Sequence, residues 1–150
     1  MRFLLNPVLL PLCLGLAACG ATAQAGPGAR GARFAPCPDS PNCVSSLATD
    51  ARHALPPLDL GERSVEDALA RLEALLSGQP RTTLVQREPQ GYLRAEVRSR
   101  VFGFVDDLEL QIDPAHAVIH VRSASRTGRY DFGVNRKRVE ALREAFAKVP

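Results

Sequence analysis

Arg136, Lys137 and Arg138 open the last apolar-periodic segment of this 150-residue chain, and Arg126 and Arg129 lie just upstream. A helix N-terminus already presents unsatisfied N–H groups and the positive end of the macrodipole, so clustered cations there repel unless something negative is present. Asp131 is the structural candidate for that charge. The functional candidate is a bound anion, a small molecule or a lipid headgroup, held by Arg126, Arg129, Arg136 and Arg138 around Gly128 and Gly133. Both readings stand at this level.

Asp106 is the second residue of chemical interest. Strand alternation puts it on the face of Leu108, Leu110 and Ile112, while Asp107, Glu109 and Gln111 face the other way. A carboxylate on a core face needs hydrogen bonds or a cation, and Arg100, Arg126, Ser99 and Ser123 are the nearest candidates. A β-bulge near Gly103 would instead turn Asp106 outward. Adjacent aspartates on opposite faces cannot share a proton as a carboxylate dyad. An enzyme built on this chain, a small hydrolase or transferase, would use Asp106 with Ser123 and Arg126.

The sequence has no G-x-S-x-G elbow, H-E-x-x-H pair, P-loop or dinucleotide fingerprint. No catalytic residue and no cofactor is therefore assigned. Arg100, Asp106, Ser123, Asp131 and Asn135 are read as a structural polar cluster. His116 and His120 stand four apart at the start of a strand, a spacing that does not bring them together, and both are expected to face solvent. No metal site is expected. The balance favours a non-enzymatic binding or envelope-maintenance protein over the hydrolase or transferase.

The N-terminus supplies an address. Arg2 gives a positive start, an apolar run covers 3–16, and the run ends in Leu16-Ala17-Ala18-Cys19, which resembles the lipobox of bacterial lipoproteins. On that resemblance residues 1–18 are a signal peptide and Cys19 carries acyl chains such as palmitate. Each buried methylene contributes roughly 0.8 kcal/mol, so several chains hold the protein to a membrane. Gly20, in place of an aspartate, implies the outer membrane facing the periplasm. Ala21-Thr22-Ala23 also fits an ordinary cleavage site, which would release a soluble periplasmic protein. Residues 19–35 read as a flexible Gly/Ala-rich tether, whose span over 20–33 is about 20 Å.

Cys13 leaves with the signal and Cys19 is consumed by lipid, so Cys37 and Cys43 remain as a pair. The intervening Pro38-Asp39-Ser40-Pro41-Asn42 is a turn sequence, and an oxidising compartment predicts a disulfide. The spacing is not the C-x-x-C of redox enzymes. A net charge of +3, with acids interspersed and no Trp, argues against a nucleic-acid partner. The oligomeric state is not legible.

Residues 36–150 must position these groups as one α+β domain. Ser64 caps a helix with Val65, Ala68, Leu69, Leu72, Leu75 and Leu76 at helical spacing, stopped by Gly78 and Pro80. Strand character follows over 82–87, 92–99, 104–112 and 117–124, with links short enough for an antiparallel meander. Asn135 is the expected cap of a last helix carrying Val139, Leu142, Ala145 and Phe146. The expectation is a curved antiparallel sheet of about four strands packed by an N-terminal and a C-terminal helix. Arg98 with Asp107, and Glu109 with Arg122, are the expected ion pairs of its polar face.

Three blocks together carry a family resemblance. Cys37-Pro38-Asp39-Ser40-Pro41-Asn42-Cys43-Val44-Ser45-Ser46 is the first, and Arg98-Ser99-Arg100-Val101-Phe102-Gly103-Phe104-Val105-Asp106-Asp107 the second. Val121-Arg122-Ser123-Ala124-Ser125-Arg126 with Gly133-Val134-Asn135-Arg136 is the third. They resemble the family known as domain of unknown function 1499, over about residues 36–148. The resemblance implies a bacterial envelope or plastid protein and assigns no residue a catalytic role.

Overall fold

A computed structural model describes residues 33–148. The signal peptide expected over 1–18, the acylation expected at Cys19 and most of the tether expected over 19–35 lie outside the described residues.

Two short strands come first, β1 (Cys43–Ser45) and β2 (Leu58–Asp59), followed by helix α1 (Val65–Ser77). Strands β3 (Thr82–Glu88), β4 (Tyr92–Arg98), β5 (Val105–Asp113) and β6 (Val118–Ser125) form the meander, and α2 (Val134–Lys148) ends the fold. The sheet has six strands rather than about four, in the order β1-β6-β5-β4-β3, with β2 pairing β6 off that path. The two extra strands have three and two residues, too short to display a period of two in sequence. All strand pairings are antiparallel.

The start of α1 follows its sequence signature. The Ser64 side chain accepts from the Asp67 N–H at 3.1 Å and donates to the Asp67 carboxylate at 2.6 Å, a near capping box. Ala68, Leu69, Leu72 and Leu76 are buried on one side of the helix. Helix α1 packs on β3 and β4, and α2 on β6, β1 and β2. Both helices cover the same sheet face, where Leu93, Ala95, Leu108, Leu110, Ile119 and Val121 meet Val139, Leu142 and Phe146. At roughly 1.5–3 kcal/mol for each large side chain, this core is the main favourable contribution to folding.

The turns sort the sheet into two ends. The β3–β4 and β5–β6 turns lie at one end, with the β4–β5 hairpin loop and the β6–α2 loop at the other. The Arg126 N–H donates to the Val105 carbonyl at 3.0 Å, which holds those last two loops side by side. Arg33 pairs with the Glu88 carboxylate and lies over the Tyr92 ring at 5.4 Å. Arg33 thus lies at the end away from these two loops.

Candidate functional site

The most organised polar group lies between the sheet and α2. Asp106 stays on the core face, in register with Val97 on one side and Ser125 on the other. The bulge considered near Gly103 does not occur; the register shift lies in β3, between Leu84 and Gln86. The cation beside Asp106 is Arg138, at 2.6 Å, and neither Arg100 nor Arg126. Arg138 also donates to Ser123 Oγ at 2.9 Å and Asn135 Oδ1 at 2.6 Å. Ser123 in turn donates to Asn135 Oδ1 at 2.6 Å.

Asn135 is a buried linchpin rather than the helix cap. Its amide donates to the Asn42 carbonyl at 3.1 Å, Ser125 Oγ at 3.0 Å and the Asp131 carboxylate at 2.9 Å. Asp131 does the capping, accepting from the Gly133 N–H at 2.9 Å and the Asn135 N–H at 3.0 Å. The turn that allows this uses positive φ at Phe132 and Gly133. The structure therefore brings Asp106, Ser123, Asp131 and Asn135 together, adds Arg138, and leaves Arg100 exposed in the hairpin loop.

The four arginines expected around one anion point in different directions. Arg138 faces the interior. Arg136 donates to the carbonyls of Arg52 and Ala54, each at 3.0 Å. Arg126 lies across the opposite face of the sheet, 2.6 Å from Glu96 and 2.8 Å from Asp107. It is thus separated by the sheet from Asp106 and Ser123. Arg129 is exposed in the β6–α2 loop.

On that opposite face Glu96 and Asp107 stand directly across from each other, and Arg126 bridges them. The Arg126 hydrogen bond, opposed by burial, holds the Asp107 carboxyl below its ordinary value, with Arg94 adding to the effect. The same bonds to Asp107 and Glu96 raise Arg126. Arg122 pairs with Glu109 at 2.9 Å, as expected. Arg98 does not reach Asp107; it sits 3.6 Å from Glu96, and Arg94 takes Asp107 at 3.2 Å. Burial, then the Glu109 charge, push the Tyr92 phenol far up.

The histidines differ from expectation. His116 is exposed, but His120 is buried under the segment after β1, with Nδ1 3.4 Å from Ser46 Oγ. Both histidines flank Asp113, His116 at 2.7 Å and His120 at 3.6 Å. The turn of 114–117 folds back and brings them to one carboxylate, which a four-residue strand spacing conceals. Ser46, His120 and Asp113 thus line up, yet the 3.6 Å between His120 and Asp113 is beyond a hydrogen bond. No group of three His, Cys, Asp or Glu among the described residues is arranged to hold a metal.

Cys37 and Cys43 form a disulfide. It borders an open cleft lined by Pro38, Asp39, Asp50, Arg52 and His53. His53 is buried there between the Asp50 carboxylate at 2.9 Å and the Ser40 carbonyl at 3.1 Å. The Asn42 side chain donates to the Gly128 carbonyl at 2.6 Å, tying the disulfide loop to the β6–α2 loop.

The surface itself is uneven. Val101, Phe102 and Phe104 of the hairpin loop, Tyr130 and Phe132 of the β6–α2 loop, and Val134 at the start of α2 are all exposed. They cluster at one end of the sheet.

A family model described as a protein of unknown function, DUF1499, matches residues 33–146. No curated protein and no solved structure matches the chain.

Proposed function

The chain belongs to the DUF1499 family, and we propose that it serves as a lipid-anchored, non-enzymatic envelope protein whose partner is an anionic membrane surface. Leu16-Ala17-Ala18-Cys19 supports the anchor, and Gly20 supports the outer membrane. One observation carries the chemistry. The polar groups that would serve a hydrolase or transferase, Asp106 and Ser123, are closed into a buried network by Arg138 and Asn135. A buried ion pair of this kind holds α2 in register on the sheet. With Arg138 bound to Asp106 and Arg136 to the carbonyls of Arg52 and Ala54, an anionic partner is met by Arg129 and by Arg100 of the adjacent loop.

The anchor is tested by intact mass and detergent phase partitioning of the membrane-extracted protein beside Cys19→Ser. The expected result is a wild type carrying acyl mass in the detergent phase and a variant lacking both properties. A water-soluble wild type without acyl mass overturns the anchor.

A further inference from the structure

Among the described residues, six of the seven exposed large hydrophobic side chains fall at one end of the sheet, five on two loops and Val134 at the start of α2. Single exposed apolar residues are ordinary, whereas a contiguous group marks an interaction surface. Phe132 is 91% exposed and Phe102 is 75% exposed. Phe102 stacks only on its neighbour Phe104, with ring centroids 5.5 Å apart. The sequence has six Phe and two Tyr, so half of its aromatic residues are spent on this end.

The backbone here is built to present them. Phe132 has φ of 55°, a left-handed conformation that a bulky side chain adopts only when its surroundings impose it. Asp131 holds it by accepting from the Gly133 and Asn135 N–H groups that follow Phe132. In the hairpin loop, Ser99 plays a similar part. Its hydroxyl accepts from the Phe104 N–H at 3.0 Å, and its N–H donates to the Phe104 carbonyl at 2.8 Å. Val101 and Phe102 are thereby held at the tip.

Charge identifies the occupant. Each loop sets an arginine beside its aromatic residues, Arg100 before Val101 and Arg129 before Tyr130, and Lys137 lies on the following turn of α2. The acids nearby are neutralised or occupied: Arg126 takes Glu96 and Asp107, and Asp131 caps the helix. An apolar tip ringed by unneutralised cations matches a bilayer interface, where aromatic rings sit at headgroup depth and basic side chains meet anionic lipid.

Chain length permits the approach. The described chain begins at Arg33, at the far end of the sheet, whose longest strand has nine residues and spans about 30 Å. At about 3.3 Å per residue, a chain of the length of 20–33 can reach at most about 46 Å when fully extended. That is enough to turn the aromatic end toward the membrane holding Cys19.

We infer that the loops carrying Phe102, Phe104, Tyr130 and Phe132 dock the domain into the headgroup region of an anionic bilayer. This rests on the membrane-partner reading and names the surface that realises it. The chain has no Trp, so Phe102→Trp installs a sole fluorescent reporter at an exposed site, and Ala115→Trp in the β5–β6 turn is its control.

Each full-length variant is reconstituted in phosphatidylglycerol-containing vesicles, with and without acyl-brominated lipid. Indole emission of Phe102→Trp is expected to shift to the blue and to be quenched by bromine, while that of Ala115→Trp does neither. Arg100→Gln with Arg129→Gln, placed in the Phe102→Trp background, should weaken the quenching in anionic vesicles and leave it unchanged in phosphatidylcholine.

Vesicle-bound Phe102→Trp protein whose emission behaves like that of the Ala115→Trp control overturns the inference. So does a blue shift without vesicles that grows with protein concentration, which would make a second copy the occupant. Quenching indifferent to the two arginine substitutions overturns the choice of an anionic surface. Intact mass reports the anchor separately. An unacylated Phe102→Trp chain mixed with the same vesicles is read by the same indole signal, so failure of the anchor and failure of docking are distinguishable.

Discussion

Asp106 and Arg138 are opposite charges, each placed on the apolar face of its own element. Asp106 shares a strand face with Leu108 and Leu110, and Arg138 stands among Asn135, Val139 and Leu142 on α2. Either alone would be an uncompensated charge in the interior; together they fix how α2 seats on the sheet. Removing one partner of such a pair costs about 3–5 kcal/mol, whereas replacing both with apolar groups of similar volume is much less damaging. Arg138→Met is therefore expected to lower unfolding stability by about that amount in urea titration. Adding Asp106→Leu should recover most of the loss. Additive losses in the double variant would mean that the pair does not act as a unit. Half of this arrangement is legible in the sequence, since strand parity marks Asp106. Its cation is not, because it comes from a helix 32 residues away. The available signal was Arg138 itself, a charge lying at helical spacing between Asn135 and Leu142.

At the scale of elements, the four long strands and both helices are legible because their burial follows regular periods, as in the alternation along β5. β1 and β2 are not, since they are held by pairing to β6 and by the disulfide loop rather than by any pattern of their own. The polar sheet face was readable as a ladder of charges, but its partners were not. Cross-strand register put Glu96 opposite Asp107, and the end of β6 delivered Arg126 to both. This ladder has a pH signature. The Asp107 carboxyl lies below its ordinary 3.8 in the folded protein. Its contribution is thus fully present above that value and is lost as pH falls through the lower folded one. Asp107→Asn should be less stable than wild type at pH 7 by roughly 1 kcal/mol, the screened scale for partly exposed pairs. The gap should close as pH falls below 3.8. A gap independent of pH in urea midpoints would show that the Asp107 charge is not what stabilises this face.

For the whole molecule, the two ends of the sheet differ in make-up. One end receives the chain at Arg33, and the other carries two aromatic, arginine-bearing loops fixed by Ser99, Asp131 and the disulfide-tied Asn42. On the proposed anchor and docking surface, a domain so arranged is held twice, by its N-terminus and by its far end. Hydrogen exchange of the native protein in lipid nanodiscs measures this directly, without substitutions. In discs containing phosphatidylglycerol, amides of 99–104 and 126–134 should exchange more slowly than in phosphatidylcholine discs, while the 114–117 turn exchanges alike in both. Loops that exchange at the same rate in the two lipids, with no protection beyond that of 114–117 in either, would contradict a second attachment at this end.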